Sequence, residues 1–155
     1  MEYGLIGARL GHSFSKPIHE ALNPGASYEL HPLPEEEQAR AFLSDRQFSG
    51  INVTIPYKRL VMEYCDEIAP AAKAIGAVNT VTNRNGRLCG YNTDYDGFLE
   101  MASSAGIDFE GRRVLILGTG GTAHTVHAAV TEKGAAHVHH ASHSGTHGAL
   151  TYEQA

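Results

Sequence analysis

Tryptophan is absent from the 155 residues, and cysteine occurs twice, at Cys65 and Cys89. Two thiols without metal-ligand spacing exclude a disulfide scaffold and fit a reducing compartment. No apolar run approaches the ~20 residues that a membrane-spanning helix needs. The opening Met1-Glu-Tyr-Gly-Leu-Ile-Gly7 lacks the basic and long apolar regions of a signal peptide, so a cytoplasmic chain without a membrane partner is expected. There is no basic run, and the net charge of −5 leaves no electrostatic footprint for nucleic acid. Internal repeats and low-complexity linkers are lacking too. Fixed positive charge also gives out along the chain: Arg113 is the last arginine, and Lys133 is the sole lysine beyond it.

What is present is a composition of 42% hydrophobic and 19% charged residues, enough for one full core or two small ones. Of the ten histidines, His124, His127, His137, His139, His140, His143 and His147 crowd one stretch. His137 and His139 share a strand face, and His124 and His127 are one helical turn apart. No cysteine or carboxylate joins them in motif spacing, so they are expected to be solvated surface side chains, with no metal.

Strand and helix patterns alternate almost throughout. Tyr3–Gly7 reads as a strand, and Pro17 opens a helix carrying Ile18, Ala21 and Leu22, closed by Asn23-Pro-Gly25. Ser27–His31 is a strand and Glu35–Leu43 a helix with acids in its first turn. Gly50-Ile-Asn-Val-Thr-Ile-Pro56 alternates with period two, and Tyr57–Ile68 reads as an amphipathic helix with Leu60, Val61, Tyr64 and Ile68 inward. Ala77–Thr82 and Arg87–Tyr91 flank the hairpin signal Asn83-Arg-Asn-Gly86. Asp96–Ala105 is a helix, Arg113–Leu117 a buried strand, Thr122–Lys133 a helix and His137–Ala141 a strand. This order predicts an α/β fold with a mainly parallel sheet, and a domain seam at the helix around residues 96–110.

Gly118-Thr119-Gly120-Gly121 lies between a strand and a helix that begins with Thr122 and Ala123. Glycine there permits positive φ and close backbone approach, and the helix N-terminus offers N–H groups to a phosphate, so dinucleotide binding is expected. The tip of the following strand, Ser142-His143-Ser144, carries no acid for ribose hydroxyls. That disfavours NAD and leaves these side chains as phosphate contacts of NADP. A neutral histidine replaces poorly the bidentate charge of an arginine.

The remaining signals are polar. Ser13 and Ser15 follow a strand end in "GHSFS". "GINVTIPYK" supplies Asn52, Thr54 and Lys58, "GAVNTV" supplies Asn79, and "GYNTDYDGF" supplies Asn92, Thr93 and Asp94. Singly, each suits a turn, a cap or a polar strand face. Together, in this order ahead of the glycine-rich turn, they make the whole chain resemble the shikimate dehydrogenase family.

The resemblance implies an α/β substrate-binding domain over 1–102 and, over 103–155, the β-α-β start of a truncated Rossmann-like NADP-binding domain. It implies NADP-dependent, reversible reduction of 3-dehydroshikimate to shikimate, a step toward chorismate and the aromatic amino acids. It also implies roles. Ser13 and Ser15 would hold the substrate carboxylate, and Thr54, Asn79 and Asp94 the ring hydroxyls, while strand alternation puts Asn52 beside Thr54 on the face toward the cleft as a further substrate contact. Lys58 and Asp94 would be the catalytic pair, either of them the formal proton acceptor. Gly118, Gly120 and Gly121 would form the pyrophosphate loop.

Two departures stand out. Ser142-His143-Ser144 replaces the family's Asn-Arg-Thr-like tripeptide, and family members are much longer than this chain. A truncated, inactive shikimate-binding module and an NAD-using quinate/shikimate dehydrogenase are the alternatives, and a homodimer that covers the incomplete sheet stays open.

Overall fold

The computed structural model describes residues 2–145 and 148–155; His147 of the histidine-rich stretch lies outside them. The chain divides into two compact units, Met1–Asn92 and Thr93–Ala155, so the division falls ahead of the seam read from the sequence.

The first unit contains β1 (Tyr3–Gly7), α1 (Ser15–Leu22), β2 (Tyr28–Pro32), α2 (Glu36–Asp45), β3 (Gly50–Val53), β4 (Glu67–Ile68), α3 (Pro70–Ile75), β5 (Thr80–Arg84) and β6 (Arg87–Tyr91). Its sheet runs β2-β1-β3-β5-β6-β4. β1 is parallel to β2 and β3, and β4 to β6, while β5 is antiparallel to both neighbours. The antiparallel pair follows from the hairpin: Asn85 and Gly86 both adopt positive φ, 55° and 87°, which a tight two-residue turn demands.

Register assigns the faces. Leu5 pairs with Leu30 and Asn52, and Asn52 pairs with Thr80, so these four share one face. Ile6, Ile51, Val53 and Val81 occupy the other, where they meet Ala39 and Leu43 of α2 together with Val61, Val78 and Leu88 in the main core. Full burial of Ile6, Leu43, Val81 and Leu88 stabilises the unit by ~1.5–3 kcal/mol each. The polar face carries a smaller cluster of Leu5, Leu10, Tyr28 and Leu30. α2 starts in a reciprocal cap in which Glu35 and Gln38 satisfy each other's backbone N–H groups.

The structure corrects the helix expected over Tyr57–Ile68. A short 3-10 helix occupies Leu60–Tyr64, Cys65 is extended, and Glu67–Ile68 becomes the edge strand β4. Asp66 draws the chain into the sheet: its N–H donates to the Leu88 carbonyl at 2.8 Å, and its carboxylate accepts the Leu88 N–H at 2.7 Å. Leu60 and Val61 are still buried, and Tyr64 and Ile68 still pack on the core. The sequence pattern gave no expectation of α3, although Pro70 at its start and Gly76 at φ 73° past its end are the usual punctuation.

The second unit contains α4 (Thr93–Ser104), β7 (Arg113–Leu117), α5 (Gly121–Glu132), β8 (His137–Ser142) and β9 (Leu150–Thr151). Its sheet, β7-β8-β9, is parallel throughout, so the chain supplies three strands where the sequence suggested two. β7 is not buried along its length. Ile116 is buried, whereas Leu115 and Leu117 are 45% and 71% exposed, because the strand presents alternate residues to opposite faces.

Candidate functional site

Gly7 ends β1 and is followed by a loop that returns Ser13 and Ser15 to the start of α1. Ser13 Oγ accepts the Ser15 N–H at 3.2 Å, which leaves the Ser13 hydroxyl proton for another partner. The Tyr28 hydroxyl donates to Asn52 Oδ1 at 2.8 Å, Asn52 Nδ2 donates to Thr80 Oγ1 at 3.1 Å, and Thr80 Oγ1 donates to Asn79 Oδ1 at 3.0 Å. One continuous chain of hydrogen bonds therefore joins two predicted site residues, Asn52 and Asn79, with two that sequence reasoning passed over, Tyr28 and Thr80. Tyr28 looks like strand core and Thr80 like β-propensity. The clue available for Thr80 is position, since it pairs with Asn52, whereas Tyr28 pairs with Tyr3 and reaches Asn52 through its hydroxyl alone.

The end of "GINVTIPYK" is held from three sides. The Thr54 N–H donates to the Ile6 carbonyl at 2.9 Å, the Val53 N–H to Asn79 O at 2.7 Å, and the Val78 N–H to Lys58 O at 2.8 Å. These bonds draw the backbones of Thr54, Lys58 and Asn79 together at the carboxyl end of β3. Thr54 and Lys58 are half-buried and Asn79 is buried. Asn92 serves the same corner structurally, donating from Nδ2 to the Ala77 carbonyl at 3.0 Å. A cavity of about 390 Å³ opens toward the amino end of β3, with Tyr3, Tyr28, Asn52, Thr80 and Thr82 in its walls; Asn52 is the one predicted site residue among its lining, and Thr54, Lys58 and Asn79 do not line it. Asp94, in the first turn of α4, is carried by the second unit.

In the second unit the glycine-rich turn forms as its sequence requires. Gly118 has φ 118°, a backbone region that side chains disfavour. A Cβ placed on Gly118, Gly120 or Gly121 would meet nothing within 4 Å, so the turn leaves open space in front of the α5 N-terminus. Open backbone N–H groups at a helix start suit a pyrophosphate. Thr119 is half-buried, Thr122 exposed and Ala123 buried. The strand tip fits a phosphate less well: Ser142 is buried and its Oγ accepts the Gly145 N–H at 3.2 Å. His143 and Ser144 are exposed, with His143 edge-on to Tyr152 at 5.0 Å, and no arginine or lysine follows Lys133 in the sequence.

The histidines need a correction. His127 and His140 are not solvated singly; their rings stack at 5.1 Å and are half-buried, with Nδ1 of one 2.8 Å from Nε2 of the other. Burial, then His140 and His124, hold His127 below the ordinary imidazole range. No cluster of three or more metal-ligating side chains occurs among the described residues.

Residues 5–81 match the family described as the shikimate dehydrogenase substrate binding domain. The chain belongs to the shikimate dehydrogenase family. It is 43% identical over 139 residues to the shikimate dehydrogenase (NADP(+)) of Bacillus cereus strain G9842, covering 85% of this chain and 50% of that protein. The chain thus spans about half the length of the curated relatives it matches. Shikimate dehydrogenase 1 from Peptoclostridium difficile superposes with a TM-score of 0.84 at 35% identity, over 99% of this chain and 60% of that one. Shikimate 5-dehydrogenase from Thermus thermophilus, solved with NADP(H) and shikimate, gives 0.80 at 36% identity, over 92% of this chain and 56% of that one.

Proposed function

We propose that this chain is the N-terminal portion of an NADP-dependent shikimate dehydrogenase, which reversibly reduces 3-dehydroshikimate to shikimate. The observation that carries the reading is the hydrogen-bonded chain from Tyr28 to Asn79 beside the Thr54–Lys58 corner. A cyclic acid with several hydroxyls is recognised by pairing each of its polar groups, because a buried unpaired partner is costly. Ser13 and Ser15 hold the carboxylate; Asn52, Thr54 and Asn79 hold the ring hydroxyls.

Oxidation of shikimate removes a hydride from C3 and the proton from its hydroxyl. Lys58 and Asp94 are the groups assigned to that proton, one accepting it and the other orienting the hydroxyl. The Gly118–Gly121 turn and Thr122–Ala123 take the pyrophosphate, with Ser142, His143 and Ser144 at the 2′-phosphate end. NADP, when bound, supplies the hydride acceptor. The two free thiols, Cys65 and Cys89, suit a cytoplasmic enzyme. No helix among the described residues is long and apolar enough to cross a membrane.

A second reading, a shikimate-binding module with little turnover, is favoured by the strand tip, where no fixed cation stands opposite a 2′-phosphate. The test is calorimetric titration with shikimate, followed by NADPH absorbance with shikimate and NADP⁺, for the chain and for Lys58→Ala. Shikimate binding is expected in the chain, and any turnover is lost in the variant. Binding without turnover selects the second reading. No binding at millimolar shikimate overturns both, and turnover unchanged in Lys58→Ala removes the role given to Lys58.

A further inference from the structure

We infer that Tyr28 is a positioning residue of the substrate site, acting through Asn52. The inference rests on the shikimate-binding reading above and adds a residue to it.

Tyr28 is 3% exposed, and its ring lies face-on to His19 at 4.1 Å, with Nδ1 of His19 2.8 Å from the Ser15 carbonyl oxygen. The ring is thus fixed by packing, and the hydroxyl lands between the start of α1 and the middle of β3. A phenol has one proton. Tyr28 gives it to Asn52 Oδ1 at 2.8 Å, so toward any other neighbour its oxygen can only accept. Burial pushes the phenol up to about 12, which keeps that proton in place at any physiological pH.

The single proton propagates. With Oδ1 of Asn52 occupied, Nδ2 turns to Thr80 Oγ1, and Thr80 spends its own proton on Asn79 Oδ1. A half-turn of the Asn52 amide would set two donors against one another at Tyr28 and two acceptors at Thr80. The hydroxyl of Tyr28 therefore fixes the orientation of Asn52 and, through Thr80, the atom of Asn79 that is already committed. Without it the amide can exchange its ends, Thr80 can donate to Asn52 instead, and the site loses the fixed donor and acceptor pattern that distinguishes one polyhydroxylated acid from another.

The experiment is a double-mutant cycle on the whole chain, read as shikimate affinity by calorimetry for the unmutated chain, Tyr28→Phe, Asn52→Ala and the double variant. Phenylalanine keeps the ring, the stack on His19 and the packing, and removes the hydroxyl alone. Tyr28→Phe is expected to bind shikimate about tenfold more weakly, one hydrogen bond's worth. In the Asn52→Ala background the same change is expected to cost less than about twofold, because the residue through which Tyr28 acts is gone. Equal losses in both backgrounds overturn the inference, as does Tyr28→Phe binding like the unmutated chain. Should Tyr28→Phe fail to fold, the unmutated chain still decides: saturation with shikimate must shift the side-chain amide resonances of Asn52 together with the backbone resonances of Ser13 and Ser15. Serine shifts with a silent Asn52 overturn the inference and leave shikimate binding intact, whereas no binding by the unmutated chain overturns the underlying reading and this assignment with it.

Discussion

His140 stands between two partners: its Nε2 lies 2.8 Å from His127 Nδ1, and its Nδ1 lies 3.1 Å from the carbonyl oxygen of Gly118. The carbonyl can only accept, so His140 is protonated on Nδ1 and bare on Nε2, and His127 must donate from Nδ1. The pair ties α5 and β8 to the first residue of the glycine-rich turn.

This bond has room for one proton, which sets a pH dependence. His127 titrates below the ordinary imidazole range because of burial, His140 and His124. A depressed folded value means that the stabilisation is fully present above about pH 6.5, the unfolded value, and is lost as the pH falls toward the lower folded one. Amide-exchange protection of α5 and β8, measured at about pH 7.5 and about pH 5.5, is expected to drop at the acid end. The drop is smaller in His127→Ala. Equal drops in the two proteins would remove the pair as its cause.

Asp66 makes a second acid-sensitive point, in the first unit. The Leu88 N–H at 2.7 Å, and then Arg46 at 2.8 Å, hold its carboxyl below the usual carboxylate range. Its stabilisation is present above about pH 4 and disappears as the pH falls through the lower folded value. Urea unfolding followed at neutral pH and at about pH 3 should show less acid loss in Asp66→Asn than in the unmutated chain. Pairing of β4 with β6 is the element at risk, so exchange at Leu88 should report it first.

Much of this was legible in the sequence, and the exceptions have physical causes. Period-two alternation located β2 and β3, a short apolar run before a glycine turn located β1, and the Asn-Gly signal located the β5–β6 hairpin. The stretch Tyr57–Ile68 misled because its apolar spacing suits a helix, while the deciding interaction, Asp66 with Leu88, spans 22 positions and has no local trace. The polar side chains of the site were visible one by one, since each is out of place in a core. The bonds that connect them were not, because Tyr28 is an ordinary strand residue until the folded sheet lets its hydroxyl reach across β1 to Asn52. The His127–His140 pair was hidden for the same reason: the helix and strand that carry the two rings are read separately.

Gly7 supplies the most direct test of how the fold shapes the site. A Cβ at this position would stand 2.5 Å from Thr54 Cγ2, 3.0 Å from Leu10 Cδ2 and 3.2 Å from the Ile55 carbonyl oxygen. The Leu10 tip can move, but Ile55 O is backbone, and the Ala8 N–H donates to it at 3.2 Å. Gly7→Ala must therefore push the Thr54–Ile55 segment away from β1, at a cost of about 1–3 kcal/mol in stability. Displacing Thr54 also moves a proposed substrate contact, so shikimate affinity should fall together with the unfolding midpoint. Thr54→Ser in the Gly7→Ala background removes the clashing methyl and keeps the hydroxyl, and is expected to recover part of both losses. If the double variant is no better than Gly7→Ala in either measurement, the close approach of β1 to Thr54 is not what the glycine protects, and the backbone contact at Ile55 alone accounts for it.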